Sequence, residues 1–184
     1  MDALINIDVQ NDFCPGGAMH TSHGNKVVPV INGIMSKFNM VIASRDWHPP
    51  ESKHFKKWPK HCVQGSSGSG FSPIINVLKI EKIFLKDISG EDDGYSAFEA
   101  TNADLSEYLK DNGIDSLFIC GLTTEYCIKE TATDSIKNGF HTFVLEDAIS
   151  AVKPGSLCEF RAIEEMKSLG VSMVHFANLQ RVDV

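Results

Sequence analysis

Six short, mostly apolar runs recur along the chain, and they constrain its fold more than any other feature of the sequence. Continuous runs of this length are typical of central strands in a parallel sheet that is covered on both faces. Each run therefore predicts one buried strand. The runs extend over residues 3–9, 40–43, 83–85, 117–120, 142–145 and 171–174.

Segments with helical spacing lie between most of these runs. The last segment begins with Ser156-x-x-Glu159, which is typical of a capping box, and is expected to bury Phe160. Alternating strands and helices predict an α/β fold with three layers, α/β/α, and a mostly parallel, Rossmann-like sheet of about six strands. The length fits one domain, residues 1–184. The first three helical segments cover residues 26–38, 105–109 and 128–136.

Charge and cysteine content narrow the functional classes. The net charge is −7 without a basic stripe, which argues against a nucleic-acid partner. We find neither a signal peptide nor an apolar stretch long enough for a bilayer, so we expect a cytoplasmic protein without membrane contact. The five cysteines are irregularly spaced and lack a Cys-x-x-Cys pair, which favours free thiols in a reducing compartment. A homo-oligomer is compatible with all of this.

Reactive side chains follow four of the predicted strands. Asp8 ends the first run, and Asp46 and His48 follow the second. Lys86 follows the third, and Cys127 lies in the turn between the fourth strand and a helix. In open α/β sheets the ligand crevice lies beyond the carboxyl ends of the strands. These side chains are therefore expected to converge in one active site.

Cys127 is the candidate nucleophile. In the first turn of a helix that starts near Thr124, free N–H groups and the helix dipole favour the thiolate. Lys86 would lower the pKa of the thiol further, and Asp8 would accept its proton as a general base. Taken singly, the cysteine is more often a buried core residue, the acid a cap and the lysine a solvated strand end. Their convergence favours catalysis.

The candidate metal ligands are one carboxylate and three imidazoles that lie close together in the chain. Asp46 and His48 are two residues apart, so on an extended segment their side chains point the same way. His54 and His61 come from the loop that follows. One carboxylate with several imidazoles suits zinc, iron or manganese, and the lack of paired cysteines argues against a structural zinc site. A single histidine is more often an ordinary residue, but four ligands this close favour a metal site.

Several longer motifs occur in an order that matches one known family and together cover nearly the whole chain. They are Asp8-Val-Gln-Asn-Asp-Phe-Cys-Pro-Gly-Gly17, Ser44-Arg-Asp-Trp-His-Pro49, His54-Phe55, Trp58-Pro-Lys-His-Cys-Val-Gln-Gly65, Tyr95-Ser-Ala-Phe98, Gly121-Leu-Thr-Thr-Glu-Tyr-Cys127 and Glu146-Asp-Ala148. The chain resembles the nicotinamidase/pyrazinamidase branch of the isochorismatase-like cysteine hydrolases. The second and fourth motifs separate nicotinamidases from relatives that lack a metal.

The resemblance implies an amidase of NAD salvage that hydrolyses nicotinamide or pyrazinamide. Cys127 would form a thioester, completing a triad with Asp8 and Lys86, while a divalent ion, zinc before iron or manganese, orients the pyridine ring. A cis peptide bond at Leu122-Thr123 would turn the Thr123 N–H toward the Cys127 N–H to form an oxyanion hole. The implied ligands are Asp46, His48 and His61, with His54 at the fourth-ligand position, and the implied substrate-binding residues are Phe13, Trp58, Tyr95 and Gln10.

Two departures from the family pattern leave substrate preference open. Thr123 stands where alanine is more usual, which adds a hydroxyl near the oxyanion hole, and an acidic segment, residues 89–94, precedes Tyr95. The first alternative is a related cysteine hydrolase acting on another amide or carbamoyl substrate. The second is a metal-dependent hydrolase that uses bound water, with Cys127 as a bystander. A non-catalytic binding protein has no support, because no expected catalytic position is missing.

Overall fold

The fold is described by a computed structural model that covers residues 1–91 and 93–179. Its six strands form one parallel sheet in the order β3-β2-β1-β4-β5-β6, which confirms the predicted fold class. The prediction of a single domain over residues 1–184 stays a prediction, and it includes positions outside the described residues. The strands are β1 Asp2–Ile7, β2 Met40–Asp46, β3 Lys82–Lys86, β4 Ser116–Leu122, β5 His141–Ser150 and β6 Ser172–Val174.

Helices cover both faces of the sheet. In β1 the fully buried Ala3 and Ile5 face the cluster that contains α2, α3 and α4, whereas Leu4 faces the cluster that contains α1. This alternation is the two-residue period of a strand that is covered on both sides. The helices are α1 Val27–Met35, α2 Leu105–Asp111, α3 Lys129–Lys137, α4 Leu157–Ser168 and α5 Phe176–Leu179, and none in the described ranges is long and apolar enough to cross a bilayer.

The last long helix differs from its prediction in two respects. Phe160 is 63% exposed, because α4 packs through a narrow stripe that includes Ala162 and Met166. The Ser156 hydroxyl accepts the Glu159 N–H as predicted, but the Glu159 carboxylate accepts the N–H of Gly155. The reciprocal half of the capping box is therefore shifted by one residue.

Short irregular segments at the carboxyl ends of the strands shape the functional edge. Asp8 and Asp87, directly after β1 and β3, both adopt left-handed backbone conformations, with φ of 48° and 52°. Acidic residues tolerate this region better than most. In β4, Gly121 has φ of 115°, and a Cβ there would overlap the backbone of Ile7. A glycine is therefore required where β4 passes β1 beside Asp8.

Candidate active site

Lys86 lies at the centre of the functional edge and bridges two carboxylates. Its Nζ is 2.6 Å from Asp8 Oδ2 and 2.9 Å from Asp46 Oδ1, and it donates to the backbone oxygen of Tyr95 at 3.0 Å. The register of β2 and β3 pairs Asp46 with Lys86, so this contact follows directly from the sheet. All three charged side chains are almost completely buried. The ammonium group therefore donates hydrogen bonds to Asp8 and to the Tyr95 oxygen and forms ion pairs with both acids.

Asp8 has the properties of a general base. Burial raises the pKa of this carboxyl to about 6, and the negative charge of Asp46 adds to the rise, while Lys86 and the Ser44 hydroxyl oppose it. The Ser44 Oγ donates to Asp8 Oδ1 at 2.7 Å, opposite the oxygen that faces Lys86. Asp46 differs, because Lys86, His48 and His61 overcome its burial and hold its pKa well below the usual range. A carboxyl with a pKa near neutrality is suited to proton transfer.

Cys127 lies in a π-helical turn, Thr124–Ile128, between β4 and α3. One ligand atom from each of Cys127, Asp8 and Asp46 lies within 4.8 Å of the others. Burial raises the pKa of the Cys127 thiol well above its ordinary value, the two acids raise it further, and Lys86 only partly opposes them. The predicted lowering of this pKa is therefore wrong, because desolvation outweighs the helix end and the lysine. The resting thiol is protonated, which makes a neighbouring base necessary.

The turn that precedes Cys127 contains the cis peptide bond that the resemblance implied. The structure confirms this bond between Leu122 and Thr123. Thr123 is buried against the site, and its carbonyl oxygen accepts the N–H groups of Tyr126 and Ile128. The role of Thr123 and Cys127 in an oxyanion hole stays a prediction.

The predicted metal ligands come together beside the Lys86 cluster. Ring nitrogens of His48, His54 and His61 lie within 4.8 Å of one another. Asp46 Oδ2 is 3.6 Å from His48 Nε2 and 3.9 Å from His61 Nε2. The His61 Nδ1 lies 2.7 Å from the Pro59 oxygen, so it carries a hydrogen and leaves Nε2 with a lone pair. Within the described part of the chain, His48 Nε2 is buried without a hydrogen-bond partner, and this donor set fits a divalent ion.

The protonation of these histidines agrees with metal binding in two of three cases. Burial lowers the pKa of His54 to about 4, with a contribution from His48, and burial also lowers the pKa of His61. The pKa of His48 is raised, since the carboxylates of Asp46 and Asp87 outweigh the effect of its burial. Imidazole binds metals in its neutral form, which His54 and His61 hold at neutral pH.

A partly open cavity of about 30 Å³ connects Cys127 with His54 and His61. Among the predicted substrate-binding residues, Phe13, Trp58 and Tyr95 line it, and Trp58 Nε1 donates to the Tyr95 hydroxyl at 2.9 Å. Sequence reasoning missed three lining residues, Met19, Tyr126 and Val152. Tyr126 adjoins the nucleophile, which was a usable signal, but nothing in the local sequence pointed to the other two.

Gln10 lies beside Asp46 and is hydrogen-bonded to its backbone. The Gln10 Oε1 accepts the Asp46 N–H at 2.8 Å, and its Nε2 donates to the backbone oxygens of Asp46 and Ser69, both at 2.9 Å. Both ends of the amide are thus hydrogen-bonded to backbone, and the cavity lining does not include Gln10. Gln10 therefore supports the Asp46 backbone, and its predicted role in substrate binding stays a prediction.

Comparisons with known proteins find relatives that match nearly the whole chain. The family model of the isochorismatase domain matches residues 2–177. The nicotinamidase/pyrazinamidase of Mycobacterium tuberculosis is 32% identical over 95% of this chain and 98% of its own. A pyrazinamidase structure of Pyrococcus horikoshii, in complex with zinc, is 40% identical with a TM-score of 0.88, covering 95% and 99% of the two chains. An L. infantum protein in complex with nicotinate is 33% identical with a TM-score of 0.90, covering 96% and 93%.

Proposed function

This chain belongs to the isochorismatase family, and on that basis we propose that it is an amidase that hydrolyses nicotinamide to nicotinate and ammonia in NAD salvage. Its relatives include nicotinamidases and a protein that binds nicotinate. The observation that carries the proposal is that Asp8, Lys86 and Cys127 form one cluster beside three histidines, with Cys127, His54 and His61 lining one cavity. The five free cysteines fit the predicted cytoplasmic location.

Catalysis in this proposal begins with a protonated thiol. Cys127 Sγ attacks the carboxamide carbon while Asp8 takes the thiol proton, and the N–H groups of Thr123 and Cys127 stabilise the oxyanion. Asp8 returns the proton to the nitrogen as the C–N bond breaks, which releases ammonia and leaves a thioester. Asp8 then takes a proton from a water that attacks the thioester, nicotinate leaves, and Cys127 regains its proton. Lys86 holds Asp8 in place and compensates its charge throughout.

The ligand set Asp46, His48, His54 and His61 would hold the divalent ion. Zinc is the ion we propose, because a related pyrazinamidase contains it and the same donors accept it, with iron or manganese as alternatives. When bound, the ion supplies a Lewis-acid position for the pyridine nitrogen and so orients the ring.

The aromatic residues of the cavity would enclose the ring in the proposed complex. Phe13 and Trp58 line the cavity together with Tyr95, which is tied to Trp58 by a hydrogen bond. Met19, Tyr126 and Val152 are the further side chains that line the cavity and would contact the ring or its carboxamide.

The direct test is ammonia release from nicotinamide by purified, zinc-replete protein, before and after iodoacetamide treatment. We expect alkylation to abolish ammonia release. We also expect nicotinamide, when present during the treatment, to protect the enzyme from alkylation. The Cys158→Ala variant should be used, because Cys158 is the exposed cysteine and would otherwise consume reagent. Pyrazinamide and benzamide serve as comparison substrates, and benzamide, which lacks the ring nitrogen, should react more slowly. Release that survives complete alkylation of Cys127 would favour a metal-bound water, and no release from nicotinamide would favour another amide.

The pH dependence of the reaction follows from the state of Asp8. This carboxyl can accept a proton only when ionised, which holds above its pKa of about 6. We expect kcat/KM to be constant near neutrality and to fall about tenfold for each pH unit well below 6. The measurement is a pH profile with bound zinc determined at each point, so that metal loss is separated from protonation. The Asp8→Asn variant should show low activity without this inflection, and a wild-type profile flat to pH 4.5 would exclude Asp8 as the base.

A further inference from the structure

Asp87 is a buried carboxylate that the proposed reaction does not use. It is 1% exposed, and it follows the catalytic lysine directly in the chain. An unneutralised acid in such a position is unfavourable unless it is hydrogen-bonded. Its Oδ2 accepts two hydrogen bonds, from His48 Nδ1 at 2.6 Å and from Ser52 Oγ at 2.7 Å. The carboxylate is therefore directed at a metal ligand.

The backbone of Asp87 explains how two consecutive residues serve one site. Neighbouring side chains of a strand point to opposite faces. At Asp87 the chain leaves β3 with φ of 52°, which changes its direction directly after Lys86. Lys86 then contacts Asp8 and Asp46, while Asp87 contacts His48. The end of β3 thus supports both of these proposed metal ligands, because Lys86 contacts Asp46 and Asp87 contacts His48.

The contact with Asp87 determines which nitrogen of His48 is free. An ionised carboxylate can only accept hydrogen bonds, so His48 Nδ1 carries a hydrogen, and when the ring is neutral its lone pair is on Nε2. That Nε2 is the atom 3.6 Å from Asp46 Oδ2. Metal-ligating histidines are commonly held in this way by a carboxylate on the other ring nitrogen, which fixes both tautomer and ring orientation.

Ser52 extends the same connection to a second histidine. Its hydroxyl donates to Asp87 and accepts the backbone N–H of His54 at 3.1 Å. This acceptance caps the short helical turn Lys53–Lys56, which carries His54. Asp87 is thereby connected directly to His48 and through one hydroxyl to His54, although the two histidines come from separate segments.

We propose that Asp87 is a positioning residue of the metal site, which holds His48 in the tautomer that presents Nε2 and, through Ser52, holds His54 in register with it. This inference rests on the proposed function, since it concerns the same divalent ion. It predicts that Asp87 determines how tightly the site binds metal, independently of any contact with substrate.

The test measures zinc affinity by competition with a chromophoric chelator in the wild type, Asp87→Asn, Asp87→Gly and Ser52→Ala. Asparagine and glycine both tolerate the left-handed backbone at this position. We expect zinc binding to weaken about 10- to 100-fold in both Asp87 variants, the usual effect of removing such a partner, and less in Ser52→Ala. Asp147→Asn is the matched control, because Asp147 accepts the Phe176 N–H away from the site, and its zinc affinity should equal that of the wild type.

A second readout on the metal-free protein separates positioning from a merely structural role. In ¹⁵N NMR spectra of the histidine side chains, recorded at a pH at which the His48 ring is neutral, His48 should carry its hydrogen on Nδ1 in the wild type and lose this preference in Asp87→Gly, which removes the acceptor. His61 is the internal control, because its Nδ1 faces the Pro59 oxygen and should not change. Unchanged zinc affinity and an unchanged His48 tautomer in folded Asp87 variants would overturn the inference and leave the proposed function intact. A wild type that binds no zinc would overturn both.

Discussion

Replacing Cys127 with alanine is expected to lower ammonia release from nicotinamide by about 10⁴-fold or more, the range seen when the nucleophile of a catalytic triad is removed. The thioester cannot form without the sulfur, and Cys127 is the cysteine whose sulfur lies within 4.8 Å of ligand atoms of Asp8 and Asp46. The variant should fold normally, because the substitution removes one buried atom from a site that already opens on a cavity.

The control for this experiment is Cys158→Ala, which removes an exposed thiol on α4 and should keep wild-type activity. Zinc content should remain equal in all three proteins, since Cys127 does not belong to the histidine group. Equal zinc content with lost turnover supports the cysteine route. Turnover of Cys127→Ala near the wild-type rate would refute it and would favour attack by a metal-bound water.

Replacing Lys86 with methionine is expected to lower the free energy of unfolding by about 3–5 kcal/mol and to abolish activity. Methionine fills similar space but leaves Asp8 and Asp46 buried together without their shared cation. The measurement is urea denaturation of metal-free protein, followed by tryptophan fluorescence. Lys137→Met is the control, because Lys137 forms an exposed pair with Asp134 at 2.9 Å, and its stability should stay close to that of the wild type.

The pH dependence of this loss identifies its cause. The pKa of Asp8 is already raised by burial, and without the ammonium group it rises further, so the folded state binds this proton more tightly than the unfolded state does. The penalty is then largest near neutrality and declines as the pH falls and Asp8 becomes neutral. A stability loss that does not vary with pH would instead indicate a packing defect.

The parts of this architecture that sequence predicts are those with local causes. The two-sided burial of β1 appears directly in its apolar run, and the convergence of Asp8, Lys86 and Cys127 follows from a rule about strand ends in parallel sheets. Asp46 and His48 share a direction because of their spacing. The cis bond before Thr123 came from family resemblance and not from local chemistry.

The remaining features depend on how distant segments pack together in the folded protein, and hydrophobic periodicity does not predict this packing. The pKa of Cys127 rises because segments distant in the sequence bury it. The Gln10 side-chain amide is hydrogen-bonded to backbone oxygens of other segments. Phe160 belongs to the predicted apolar stripe of α4, but the surface that packs against α4 is too narrow to bury it. In the sequence, Asp87 resembles any other acidic residue at a strand end. Its left-handed φ, which determines where its side chain points, is evident only in the structure.

The cavity beside Cys127 makes substrate choice depend on residues that take no part in the reaction. Its lining side chains come from segments that are far apart in the sequence, among them Met19, Trp58, Tyr95 and Val152. Replacing one of them changes the shape that a ring amide meets and leaves Asp8, Lys86 and Cys127 in place. Discrimination among ring amides is therefore a property of this lining as much as of the reacting groups.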